Sequence, residues 1–254
     1  MNCKREIKNY ISIISLLLGW FIVTHMNIVS SYVLPSPGKV LDSLVKMIHS
    51  GEIFEDVYIS FIRVLQGFSI ATISSFILAM FRIVTSKATD YYEGIIQFFK
   101  NIPPLSLIPL LILWFGIGET TKIAIIVLTS FFPIYLNTVK GFGSCDKKLI
   151  EVGQVYGYSK AKSFLKIILP YAMSDILVGM RIGLGYSWRA IISAEMIAAS
   201  TGFGHMILFA QQMSRTDKVI VGILVIGLVG YITDRLFAFF IDKALKGSEN
   251  NGWD

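Results

Sequence analysis

The fold class this 254-residue chain predicts is an all-α, polytopic membrane protein. Three observations carry that expectation. Hydrophobic residues make up 54% of the chain and charged residues 16%, with a mean hydropathy of +0.65. Soluble domains carry about 25% charged residues, so this chain lacks the polar surface to cover itself in water. Long, predominantly apolar runs recur at about residues 10–29, 57–81, 103–117, 123–139, 171–198 and 219–240, which predicts six spans. Lysines and arginines gather on alternate connections, as they do across a bilayer. Spans and connections use up the length, so residues 1–254 read as one membrane domain with no separate soluble catalytic part.

Lys4, Arg5 and Lys8 precede the first run, which is longer than the apolar region of a signal peptide and has no small-x-small cleavage site after it. It is read as a retained span. Leu34-Pro-Ser-Pro-Gly then makes a stiff turn, and Lys39 to Asp56 predicts a surface helix outside the membrane. The second span carries Arg63 near its outer end, where a long side chain is expected to snorkel to the interface. Tyr91 to Lys100 predicts an interfacial helix. Asn101 is expected to cap the third span, with Pro103 and Pro104 in its first turn, and Pro109 is expected to bend it. Trp114-Phe-Gly-Ile-Gly-Glu closes that span with a belt aromatic and a glycine turn. The fourth span has Pro133 inside it. A turn at Ser200-Thr-Gly-Phe-Gly and an exterior helix separate the fifth span from the sixth.

Charge gives the orientation. Outside the spans, fourteen lysines and arginines fall on one side (residues 4, 5, 8, 82, 87, 100, 140, 147, 148, 160, 162, 166, 243 and 246). Five fall on the other (residues 39, 46, 122, 215 and 218). The richer side is the cytoplasm, which places both termini and the loop at 146–170 inside. The net charge of +6 is thereby a membrane-topology feature and not a nucleic-acid signal. Cys3 and Cys145, the only cysteines, both fall on the reducing side, so no disulfide or cysteine metal site is expected.

Enzyme readings lack parts. There is no phosphate-wrapping G-x-x-x-x-G-K-[ST] loop, and the three histidines, His25, His49 and His205, are scattered with no metal-binding spacing. Two regions remain. In the loop, Glu151-Val-Gly-Gln-Val-Tyr predicts a short helix ended by Gly157, and Lys160 to Leu169 a second one running into Pro170. Gly153 weakens the first of these by about 1 kcal/mol relative to alanine. In the fifth span, Arg181, Arg189 and Glu195 lie within apolar sequence, where a charge near the bilayer centre costs about 2.5–3.5 kcal/mol even on the lenient scale. On an ideal helix Arg181 and Glu195 fall about 40° apart and Arg189 about 80° from Arg181, so all three can look inward. They read either as a polar path for a small anion or as structural ion pairs, with interfacial snorkelling a further option for Arg181. Gly179-x-x-x-Gly183 and Gly185 permit close helix packing or, alternatively, an unwound path-lining segment.

Glu151, Gly157, Ile167, Leu169 and Pro170 sit at the spacing of the cytoplasmic "EAA" loop and resemble that of bacterial ABC importer permeases, with Val152 and Gly153 in place of its usual alanines. Leu34-Pro-Ser-Pro, Ile102-Pro-Pro-Leu, Trp114-Phe-Gly-Ile-Gly-Glu and Ala194-Glu-Met-Ile-Ala-Ala-Ser extend the resemblance to the nitrate/sulfonate/taurine class, over about residues 30–240. The resemblance implies a six-span subunit of the bacterial cytoplasmic membrane that works as a dimer, with ABC ATPase subunits inside and a solute-binding protein outside. It implies no cofactor in this chain, ATP and Mg being bound by the partner ATPase. Glu151, Gly157, Ile167, Leu169 and Pro170 would then couple the spans to ATP, while Arg181, Arg189 and Glu195 stay candidates for the solute path on their charge alone. A small organic anion is the implied solute, although members of the class also carry pyrimidine vitamin precursors. A membrane scaffold recruiting a cytosolic partner through the same loop is the reading from another class.

Overall fold

The computed structural model describes residues 3–26, 28–84 and 89–249. Lys87 lies outside the described residues, as do the side chains of Cys3, Lys4, Arg5, Lys8 and Lys246. Among the described residues there are helices and turns but no strand.

Helix α1 (Cys3–His25) leads to a turn fixed by the Trp20 indole, whose Nε1 donates to the Pro35 carbonyl at 3.1 Å. Ser36 caps α2 (Pro37–His49) by accepting from the Lys39 amide, and Pro37 stands in the first turn, where its missing N–H costs nothing. The amphipathic α2 buries Val40, Ser43 and Met47 against α11 (Thr216–Glu249). Helix α3 (Glu52–Val84) is longer than the expected second span by several residues at each end.

The expected interfacial helix and third span are separate elements: α4 (Thr89–Phe99) stops, a 3-10 turn covers Pro104–Leu107, and α5 (Ile108–Phe115) follows after a bend of 87° between the two. Asn101 does not cap this span. Its Nδ2 donates backward to the Gln97 carbonyl at 2.7 Å and so finishes α4. Pro109 falls in the first turn of α5, so it fits the helix and does not bend it. The break lies instead at Pro103–Pro104, where neither residue can donate to a preceding turn.

Helices α6 (Glu119–Gly143), α9 (Leu169–Ala198) and α3 form the centre of the molecule. Pro133 leaves α6 continuous, and the Asn137 side chain adds a bond one turn on, its Nδ2 donating to the Pro133 carbonyl at 2.8 Å. Small residues bring α9 onto α6. A Cβ built on Gly179 would stand 2.6 Å from Asn137 Cβ, and one on Gly183 2.7 Å from Ile134 Cγ1. Ser130 and Ser187 hydrogen-bond across the same contact at 2.6 Å. Of the two roles open to this glycine pair, the intact helix and the close approach favour packing.

The short α10 (Phe203–Gln212) buries Phe203, Met206 and Ile207 in a cluster with Val40, Met47, Ile53 and Val221. Among the described residues, four helical stretches are long and apolar enough to cross a bilayer: Glu52–Ile83, Glu119–Gly143, Lys160–Ala198 and Thr216–Lys243. The bent pair around Pro103 is a fifth if it counts as one span, and the apolar part of α1, Ile14–His25, is shorter.

Candidate functional site

The loop after α6 is built from three local devices. Asp146 starts α7 (Lys147–Val155), its Oδ1 accepting from the Lys148 amide at 2.9 Å. Gly157 ends it at φ +71°. Its N–H donates to the Gln154 carbonyl and the Tyr158 N–H reaches back to the Gly153 carbonyl, both at 2.9 Å, which is a Schellman closure. Ser159 then caps α8 (Lys160–Ser163).

Between α8 and α9 lies one π-helical turn, Phe164–Ile168, in which the Leu169 amide bonds to the Phe164 carbonyl five residues back. Pro170 explains it. The proline cannot donate to the carbonyl of Lys166 and its ring crowds that group, so the turn before it widens. The expected second helix thus runs on through Pro170 into α9, with Pro170 in the first turn of α9.

This loop brings Gly153 against Ile167. A Cβ on Gly153 would stand 2.6 Å from Ile167 Cδ1, so the glycine that departs from the loop's usual alanine is a place where two helices touch. Leu169 and Phe164 pack with Phe142 at the end of α6, the two rings 5.4 Å apart. Glu151 points to solvent. Beside it Leu149, Val152, Val155 and Tyr156 are exposed, Val155 at 87%, which leaves α7 a bare apolar ridge edged by an acid. The Cys145 thiol at the start of the loop is buried, and that burial, with Asp146 beside it, pushes its pKa up.

The three candidate charges of the fifth span, Arg181, Arg189 and Glu195, go to three different places. Arg181 makes a two-pronged pair with Asp234 of α11, Nε to Oδ1 at 2.7 Å and Nη2 to Oδ2 at 2.6 Å, both side chains 45% exposed. Arg189 lies over the Tyr186 ring at 5.5 Å. It lines an open groove of about 590 Å³ between α9 and α11, with Trp188, Gly185, Gly227, Gly230 and Asp234. Glu195 is wholly buried at the other end of α9.

Around Glu195 is a constellation that the sequence alone did not assemble. Ser60 Oγ lies 2.8 Å from both of its oxygens, the Gly204 amide donates to Oε2 at 2.9 Å, and Arg63 Nη1 donates to Oε1 at 2.7 Å. Arg63 does not snorkel. It is 4% exposed and also donates to Glu119, to the Thr201 carbonyl and to Thr201 Oγ1. Ser60 in turn accepts from the Phe203 amide at 3.0 Å, and Asp56 from the Gly202 amide at 3.1 Å. Glu195 and Ser60 therefore satisfy the first amides of α10 from neighbouring helices. The signal in the sequence was Arg63 in an apolar run with Trp114-Phe-Gly-Ile-Gly-Glu119 and Glu195 elsewhere, and only the fold brings them together.

Residues 71–246 match the family described as binding-protein-dependent transport system inner membrane component. The chain belongs to that family. Among its relatives is a putative aliphatic sulfonates transport permease protein of Bacillus subtilis, 35% identical over 89% of this chain and 82% of that one. The taurine transport system permease protein of Escherichia coli is 31% identical over 86% and 82% of the two chains. The nitrate import permease protein of Synechocystis is 31% identical over 81% and 78%. A solved structure titled as an amino acid ABC transporter with histidines shares the fold, with a TM-score of 0.64 over 80% of this chain and 97% of that one at 12% identity. The chain is thus an ABC importer permease of the nitrate/sulfonate/taurine class, a multi-pass bacterial membrane protein and a non-catalytic transport component.

Proposed function

We propose that this permease forms the path of a small organic anion, of sulfonate, taurine or nitrate type, across the bacterial cytoplasmic membrane. ATP and Mg are bound by separate ABC ATPase subunits on the inner face, and a solute-binding protein delivers from outside. In this reading the chain crosses six times with both termini inside, and two copies in lipid enclose the path. The observation that carries it is the ridge of α7, closed by Gly157 and flanked by Lys147, Lys148, Lys160 and Lys162, between two membrane-crossing helices.

Seated on a moving ATPase, α7 transmits force through its contact with Ile167 and the Phe142–Phe164 packing into α6 and α9, which move as rigid bodies. Glu151 supplies the polar contact with the motor, Gly157 the sharp turn, and Leu169 and Pro170 the fixed exit into α9. Arg189 is our candidate for the solute path, because it lines an open groove and has no carboxylate pair among the described residues. Arg181 and Glu195 would hold that path in shape through Asp234 and Arg63.

Gly157→Val places a β-branched residue at φ +71°, where even an unbranched L-residue costs about 1–2 kcal/mol. The expected outcome is normal membrane insertion with uptake of the solute lost, measured in cells carrying the full transporter. Wild-type uptake in this variant would refute the coupling role.

A further inference from the structure

Arg63 spends its N–H groups on two sides. Nη1 donates inward, to Glu195 at 2.7 Å and the Thr201 carbonyl at 2.9 Å, while Nη2 also reaches Thr201 Oγ1 at 3.1 Å. Its other edge is a fork: Nε to Glu119 Oε2 at 2.7 Å and Nη2 to Glu119 Oε1 at 2.6 Å. That paired geometry is how a guanidinium grips carboxylates and related oxyanions. Lys122 donates to the same Glu119 Oε1 at 2.7 Å and, among the described residues, to nothing else. Two cations thus converge on one anion.

Their exposures differ sharply. The side chains of Arg63 and Lys122 are 5% and 4% exposed, whereas Glu119 is 59% exposed. Glu119 and Arg63 line an open depression of about 440 Å³ with Tyr58, Gln66 and Thr201. Arg63 is held from within by the wholly buried Glu195 and the Thr201 carbonyl, and keeps these contacts without Glu119. Lys122 is fixed by burial alone once Glu119 leaves. Glu119 instead follows the Gly116-Ile117-Gly118 turn, with open space around both glycines. If Glu119 swings out, Arg63 keeps Glu195 as its one carboxylate partner and Lys122 is left with none among the described residues, so one further negative charge restores balance. Asp56 is nearby, half-buried and accepting from the Gly202 amide, and its charge tempers the attraction for an anion.

We propose that the Nε/Nη2 edge of Arg63 and the Lys122 ammonium form a binding site for a small oxyanion, a sulfonate or carboxylate, in which Glu119 is a tethered stand-in that the incoming anion displaces. As a station on the solute's route this rests on the importer reading; as a site it does not. The test reads the site alone.

The purified full chain is placed in nanodiscs of phosphatidylcholine, and its melting temperature is followed as methanesulfonate replaces chloride at constant ionic strength. Glu119→Gln removes the competing charge and keeps the shape, so it should show saturable stabilisation at a concentration at least about tenfold below wild type. Glu119→Asp keeps the charge but retracts it by one methylene, falls between the two, and serves if the glutamine variant does not fold. Arg63→Lys added to either variant should abolish the response. A cooperative melt in Glu119→Gln with no methanesulfonate dependence overturns the site, as does a response that survives Arg63→Lys. Stabilisation by phosphatidylglycerol in the disc, without any by methanesulfonate, would make the anion a lipid headgroup and overturn the station on the solute's route. The coupling role of α7 fails by a different result, unimpaired uptake in Gly157→Val.

Discussion

At Gly202 the chain adopts φ +103° within van der Waals reach of two charges. A Cβ there would stand 2.5 Å from Glu195 Oε1 and 2.6 Å from Arg63 Nη1. Gly116 has a similar backbone, φ +77°, but no neighbour within 4 Å of the same built atom. Alanine at either position carries the strain of a glycine-only conformation, of order 1–3 kcal/mol. Only Gly202→Ala also pushes apart a buried ion pair, and loosening one partner of such a pair costs about 3–5 kcal/mol in the limit. Melting of the two variants in detergent should therefore show a distinctly larger loss for Gly202→Ala. Equal losses would mean that the Arg63–Glu195 contact contributes nothing to stability. Sequence reasoning singled out Glu195 yet expected Arg63 to reach for the interface, because a lone cation in an apolar run shows no partner. The partners lie 56 and 132 positions away, and no local pattern reports a distance of that kind.

Elements were more legible than their joints. The closure at Gly157 and the start of α9 beside Pro170 follow from glycine and proline chemistry that acts within a few residues. Helix α7, by contrast, begins at Lys147 under an Asp146 cap, ahead of the expected start at Glu151, and the expected second helix includes a π turn. For the third span the sequence points to a bend at Pro109 and a cap at Asn101, whereas Pro109 fits the first turn of α5, Asn101 finishes α4, and the chain turns between them at Pro103–Pro104. The glycines of α9 were visible, but which of them touch α6 was not, for that depends on rotation about the helix axis. The structure separates them: Gly183 is pressed on Ile134, and Gly185 faces open space. In a helix interior alanine is favoured over glycine by about 1 kcal/mol. Gly185→Ala should thus hold or raise the melting temperature, while Gly183→Ala should lower it by forcing Ile134 aside and drawing α9 off α6. The same direction of change in both variants would contradict the packing.

For the whole molecule the question is which way it sits in the membrane, because ridge and oxyanion site do their work only on opposite faces. Lysine and arginine distribution predicts α7 inside and the turn before α2 outside. Two substituted cysteines read both faces at once: Val155→Cys, at a position 87% exposed on α7, and Tyr32→Cys, 73% exposed near the start of that turn. Both are made in a Cys3→Ser background. Cys145 can stay, since its thiol is buried and its raised pKa keeps the reactive thiolate scarce at neutral pH. A membrane-impermeant maleimide on intact cells should label Tyr32→Cys and spare Val155→Cys until the membrane is opened. The Cys3→Ser parent should remain unlabelled throughout. Labelling of Val155→Cys in intact cells would put the ridge on the wrong side of the bilayer from ATP, and no arrangement of the same helices would then let an internal motor drive it.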